Sequence, residues 1–270
     1  MEILIILTLE YFIFLALIGI FVGLSSGLLG VGGGFIMVPL QFFLLTHYGV
    51  NSDYALITSL ATSLAVIIPT SLSSIYKHNK VLDNILIPGI KLGIFGIFGG
   101  FIGGVLAVHL PTNILKLIFA LLLFALSFKM FFNKDFNFSF KFDLNLLTYL
   151  IIGVGVGILS GLLGIGGGIF IVTILSSLLG FSLLEAIGIS SVFICLTAVG
   201  GVISYIINGV NNNVLPYSVG YVNLMNFLGI IIFSIPFAYI GANISHKIKE
   251  EYLEKIFAVL IFVIAIAMLL

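Results

Sequence analysis

Two glycine runs carry the strongest chemical signal in the sequence: Gly32, Gly33 and Gly34, followed by Phe35, and Gly166, Gly167 and Gly168, followed by Ile169. Each glycine costs a helix about 1 kcal/mol relative to alanine, so a triple run inside an apolar stretch marks a helix that is broken and restarted. The first N–H groups of a restarted helix have no acceptor within it, and the aligned peptide dipoles leave partial positive charge there. Such an end is a natural site for a small oxyanion. It would have to work without arginine, because all ten basic residues are lysines and bidentate guanidinium clamping is absent. The plainer reading is that the glycines serve only close packing or a tight turn.

Polar side chains on neighbouring stretches supply further candidates. Thr58, Ser59, Thr62 and Ser63 stand at spacings of one and four, which places them on one stripe of a helix. Ser190, Ser191 and Thr197 occupy the corresponding region later in the chain, with Ser190 matching Ser59 when Ala186 is set against Ala55. In lipid such a stripe must face protein, ligand or water. Alternatively each hydroxyl bonds its own helix or a neighbour, a contact worth about 1 kcal/mol or less. Asn223, Asn226 and Gln41 are weaker candidates of the same kind.

The elements that hold these residues are membrane-spanning. With 61% hydrophobic and 7% charged residues, the chain is far more apolar than a soluble domain, where roughly a quarter of residues are charged. Its apolar runs are about 20 residues long, the length a helix needs to cross the hydrocarbon core. They do not alternate polar with apolar as a β-barrel would. The fold class is therefore all-α and polytopic. A formal net charge of zero suggests no nucleic-acid partner, and the lone Cys195 excludes an intrachain disulfide and a thiolate metal cluster. Glu2 and Glu10 replace the basic start of a signal peptide, so the first segment reads as part of the mature protein.

The chain is a duplication. The string Gly27 to Gly34 returns as Gly161 to Gly168 with only Val31 replaced by Ile165, and Gly19, Gly23 and Ser26 are answered by Gly153, Gly157 and Ser160. Residues 1–132 read as the first transmembrane repeat, 133–147 as a polar loop and 148–270 as the second repeat. Within the first, residues 11–29 and 35–45 flank the glycines, and spans follow over 54–76, 85–108 and 115–132. Within the second, 148–163 and 169–179 flank the glycines, with spans over 185–207, 215–244 and 252–270. Gly93, Gly96, Gly99, Gly100, Gly103 and Gly104 give the third span small-residue faces suited to close packing.

Lysine placement tests how the glycine segments cross. If each crosses once, the flanking lysines split five to four between the two sides. If each enters and returns, Lys77, Lys80, Lys129, Lys134, Lys141, Lys247, Lys249 and Lys255 share one side and Lys116 alone lies opposite, with Lys91 inside a span. The second arrangement implies two inverted repeats of four to five helical segments, each with a glycine-broken first helix, and both termini outside. Inverted repeats with discontinuous helices build secondary transporters whose substrate site lies near the midplane. Lys91 is placed to snorkel toward the lysine-rich side. No acidic residue sits at mid-membrane as a proton relay, which leaves coupling to a proton or sodium ion open.

Enzyme motifs fail on context. Gly23-Leu24-Ser25-Ser26-Gly27 matches G-x-S-x-G, but that elbow needs a preceding strand and here lies in a helix. There is no P-loop, dinucleotide fingerprint or HExxH.

The paired GLLGVGGGFIMVPL (Gly27 to Leu40) and GLLGIGGGIFIV (Gly161 to Val172) resemble the sulfite exporter TauE/SafE family, also called the toluene sulfonate uptake permease family. The alanine and hydroxyl pattern at residues 55–60 and 186–191, and the Pro88 to Gly104 glycine ladder, agree with it. The second repeat departs from the family's pattern with Thr173 where Pro39 stands in the first, and with Asn211-Asn212-Asn213 for the basic turn. The resemblance implies a secondary transporter of small sulfur-containing anions, such as sulfite, thiosulfate or organosulfonates, in a cytoplasmic membrane, with no cofactor. A transporter of an unrelated small solute and a membrane scaffold or enzyme subunit are the alternatives; assembly into a homo-oligomer is left open.

Overall fold

Both glycine runs end one helix and start another. The structure is a computed structural model that describes residues 9–29, 32–80, 82, 84–132, 145–211, 215–245 and 250–269. Helix α1 (Leu9–Leu29) stops at the first run and α2 (Gly34–His47) starts on its last glycine. Helices α3 (Ser52–Asn79), α4 (Leu86–His109) and α5 (Thr112–Phe132) complete the first half. The second half repeats the order with α6 (Leu146–Leu163), α7 (Gly168–Ser177), α8 (Leu183–Gly209), α9 (Leu224–Ser245) and α10 (Glu250–Leu269). Seven of these helices are long and apolar enough to cross a membrane, while α2 and the apolar stretch Ala258–Leu269 are shorter. The chain is an all-helical, multi-pass membrane protein.

Cap chemistry sets several boundaries. The Asn51 side chain accepts the Asp53 N–H ahead of α3, and Asn145 does the same for Thr148 ahead of α6. Ser182 and Glu185 form a reciprocal capping box that opens α8. The loop expected over 133–147 lies outside the described residues up to 144, and its last residues are the cap and first turn of α6. The span expected over 215–244 is not one helix. A hairpin of β1 (Ser218–Val219) and β2 (Val222–Asn223) precedes α9, turned by Gly220 at φ 59. Glycine at the first turn position fits the two-residue type II′ class.

The first glycine run folds its short helix back along its long one. Gly33 and Gly167 are the N-caps of α2 and α7 with φ of 68 and 76, a left-handed backbone that other residues adopt only under strain. A Cβ on Gly33 would lie 2.8 Å from the Val22 carbonyl oxygen, about two turns before the end of α1. At the far end Tyr48, the C-cap of α2, packs edge-on against Tyr11 in the first turn of α1, with ring centroids 5.1 Å apart. Helix α2 therefore returns to the level at which α1 begins. Gly167 sits in the same way against Val156 and Ser160 of α6.

The halves exchange partners. Helix α1 packs along α9 and α6 along α4, while α3 crosses α8 and α5 pairs with α10. Small residues make the exchanged contacts. A Cβ on Gly23 would fall 2.4 Å from the Ser234 carbonyl oxygen, and one on Gly103 would fall 2.2 Å from that of Ile158. The glycine ladder of α4 splits into two stripes: Gly99 and Gly103 meet α6, while Gly93, Gly96, Gly100 and Gly104 meet α8. Such approach lets backbones touch where lipid supplies no hydrophobic drive for association.

Candidate functional site

The two breaks meet. A Cβ on Gly34, the first residue of α2, would lie 2.9 Å from both the Cα and the carbonyl oxygen of Ile165, and 3.0 Å from the carbonyl oxygen of Gly164. The N-terminus of α2 thus abuts the backbone of the second break. Residues 32–39 and 160–168 are buried throughout. Around the breaks stand Ile67 of α3 and Ile194 of α8, with the Ile194 side chain close to both Gly32 and Gly166.

Side chains from both halves hold the backbone here. Ser63 of α3 donates to the Gly164 carbonyl at 2.7 Å, and Tyr205 of α8 donates to the Gly161 carbonyl at 2.9 Å. These bonds satisfy carbonyls at the C-terminus of α6 that its own helix leaves open. Ser190 of α8 reaches the Gly168 carbonyl at 3.3 Å. The first intrahelical acceptors are Gly33, bonded by Ile36 and Met37, and Gly167, bonded by Ile171. The N–H groups of Gly34, Phe35, Gly168 and Ile169 precede those bonds and have no acceptor within their helices. Two buried hydroxyls nearby have no partner: Ser160, against Gly167, and Thr197 of α8.

The two breaks differ four residues on. Pro39 lies inside α2 and has no N–H for the Phe35 carbonyl. Its repeat counterpart Thr173 donates its hydroxyl to the Ile169 carbonyl and also accepts from Lys129.

The model of the family described as sulfite exporter TauE/SafE covers residues 15–268. The chain belongs to that family. A probable membrane transporter protein of Haemophilus influenzae is 34% identical over 94% of this chain and 96% of its own length. One of Methanocaldococcus jannaschii is 31% identical over 95% and 94%, and one of Bacillus subtilis is 31% identical over 86% and 90%. No solved structure matches. The TauE/SafE assignment and these names point to membrane transport of a small solute rather than to enzymatic catalysis.

Within this TauE/SafE chain the expected site residues sort by location. Gly32, Gly33, Gly34, Phe35, Gly166, Gly167, Gly168 and Ile169 gather where the breaks meet, and Ser190 joins them through Gly168. Thr58 is buried on α3. Ser59 bonds the Ala55 carbonyl of its own helix, and Ser191 bonds the Ile187 carbonyl and faces Ser74. Thr62 accepts the Asn223 N–H at 3.1 Å and so anchors the β-hairpin to α3. The Asn223 side chain serves the hairpin itself, donating to Pro216 and Ser218 and capping Asn226. Ser63 and Tyr205 touch the second break directly, and of the two only Tyr205 was absent from the sequence candidates. Ser63 belongs to the hydroxyl stripe, which is its sequence signal; Tyr205 sits in an apolar run with none.

The other expected features resolve plainly. Ser25 donates to the Val22 carbonyl within α1, so the G-x-S-x-G match is helical. Lys91 is exposed on α4, its ammonium 5.6 Å from the Tyr149 ring centroid near the start of α6.

Proposed function

We propose that the chain is a secondary transporter that moves a small sulfur-containing anion, such as sulfite, thiosulfate or an organosulfonate, across the cytoplasmic membrane by alternating access. The observation that carries this reading is the abutment of the two breaks, Gly34 at the start of α2 against Ile165 between α6 and α7, in a region built from both halves. Helix N-termini attract anions through free N–H groups and dipole charge. A site shared between two repeats can open to either side when the halves rock against each other. Gly32, Gly33, Gly34, Phe35, Gly166, Gly167, Gly168 and Ile169 would supply the backbone groups, with Ser190 and the unpartnered Ser160 hydroxyl beside them. Thr58, Ser59, Thr62, Ser191 and Asn223 would shape the surrounding wall rather than touch the anion.

The same reading makes the repeats inverted. Helix α2 returns to the level of Tyr11, so the first break enters and leaves by one side, and the repeated glycine string would make the second do the same. An odd number of crossings per half would then collect Lys77, Lys80, Lys129, Lys134, Lys141, Lys247, Lys249 and Lys255 on the side opposite Lys116, with the cytoplasm on the lysine-rich side and both termini outside.

Thermal unfolding of the purified protein tests the anion. Sulfite, thiosulfate or a sulfonate at millimolar concentration should raise the melting temperature, since a ligand at 100 times its Kd adds about 2.7 kcal/mol. Chloride at equal ionic strength should not. Identical melting in all of these salts would overturn the assignment.

A further inference from the structure

A buried polar chain at the open end of the α1–α2 hairpin has no twin in the second half. The Tyr11 hydroxyl donates to Oδ1 of Asn226, and Nδ2 of Asn226 donates to Oε1 of Gln41 at 3.3 Å. The Asn226 backbone N–H is held by Oδ1 of Asn223. The side-chain links run from donor to acceptor in one direction and end on Nε2 of Gln41. That atom is buried with no partner, in a side chain of 0% exposure. The Tyr48 hydroxyl, seven residues on at the C-cap of α2 and beside the Tyr11 ring, is a second buried polar atom without one. An amide nitrogen only donates, so what it lacks is an acceptor. Leaving such a group unpaired forfeits its hydrogen bond to water with nothing in return. Lys116 adds positive charge to this end of the molecule, its ammonium 4.4 Å from the ring centroid of Phe42, the residue after Gln41.

The repeat offset that aligns the glycine runs sets Leu175 against Gln41, Asn145 against Tyr11 and Ser182 against Tyr48, and the offset that aligns Gly241 with Gly103 sets Pro88 against Asn226. The donor set therefore exists once per chain, unlike the paired breaks.

We propose that Gln41, Tyr48, Asn226 and Tyr11 form a second binding site, separate from the meeting point of the breaks, that takes a small oxyanion through neutral donors at the end of the bilayer where α1 begins. Nε2 of Gln41 donates to an anion oxygen, and the Tyr11–Asn226 chain fixes the orientation of the amide. The site rests on the transport reading only for the identity of its anion.

Equilibrium dialysis of the full-length purified protein against radiolabelled sulfite tests it, with Gln41→Met, Gln41→Leu and Gly167→Leu alongside and melting curves as fold controls. Wild type should bind two sulfites per chain and Gln41→Met one, while Gly167→Leu keeps the site that Gln41→Met loses. Gln41→Leu repeats the comparison if Gln41→Met does not fold. A stoichiometry unchanged by either Gln41 variant overturns the second site, and its loss in Gly167→Leu alone leaves the midpoint site standing. A single site lost in the Gln41 variants and kept in Gly167→Leu upholds the second site and removes the midpoint one. No sulfite binding by wild type overturns both.

Discussion

Gly34 and Ile165 stand so close that a methyl group on the first would overlap the backbone of the second, at 2.9 Å from its Cα and carbonyl oxygen. Two stretches of chain more than a hundred residues apart thus share one contact with no side chain between them. The obstacle is backbone on both sides, which cannot turn away as a flexible side chain can.

Gly34→Ala should therefore lower the melting temperature and abolish transport. Gly155→Ala is the matched control, because a Cβ there meets nothing within 4 Å and alanine favours a helix by about 1 kcal/mol. We expect it to be neutral or stabilising in the same melting assay. Equal losses in both variants would refute the contact.

Gly33→Leu and Gly167→Leu place a branched side chain on left-handed backbone at φ 68 and 76. Transport should vanish from proteoliposomes while membrane-inserted protein remains detectable by blotting. Unchanged uptake would remove the breaks from the mechanism.

Ser63→Ala should cost about 1 kcal/mol of stability and slow uptake, because it strips a bond from the buried Gly164 carbonyl. Ser59→Ala removes only a bond to its own helix at the Ala55 carbonyl, and should change uptake less than twofold. The reverse ranking would show that the intrahelical hydroxyl matters more than the one reaching the break.

Sidedness can be read by thiol labelling in a Cys195→Ala background. Lys116→Cys should react with an impermeant maleimide added outside intact cells, and Lys80→Cys only after permeabilisation. Lys255→Cys should also require permeabilisation, and its labelling from the side opposite Lys80→Cys would rule out the odd crossing number.

Much of this architecture is legible in residue types and spacing. Helix boundaries follow from apolar runs of spanning length and from caps such as Asn51, and the duplication is plain in the two glycine strings. The hairpin at 218–223 was hidden because Val219, Tyr221 and Val222 keep the apolar tone of a span, leaving only Pro216 and Gly220 as breaks. Partner choice was hidden for a different reason. The ladder of α4 announces that something packs closely, but α6 and α8 are both glycine-bearing and nothing local says which stripe receives which. The roles of the hydroxyls were undecided in the same way, since Ser59 and Ser63 share one stripe and only tertiary neighbours separate an internal bond from one that crosses to Gly164.

The exchange of partners between the halves also sets an order of events during synthesis. The glycine face of α1 stays uncovered until α9 has been made, and the Tyr11–Asn226 bond closes across 215 residues of chain. The first half on leaving the ribosome is thus a set of inserted helices waiting for a distant mate. Cutting the gene in the polar loop should give two fragments that survive only when produced together.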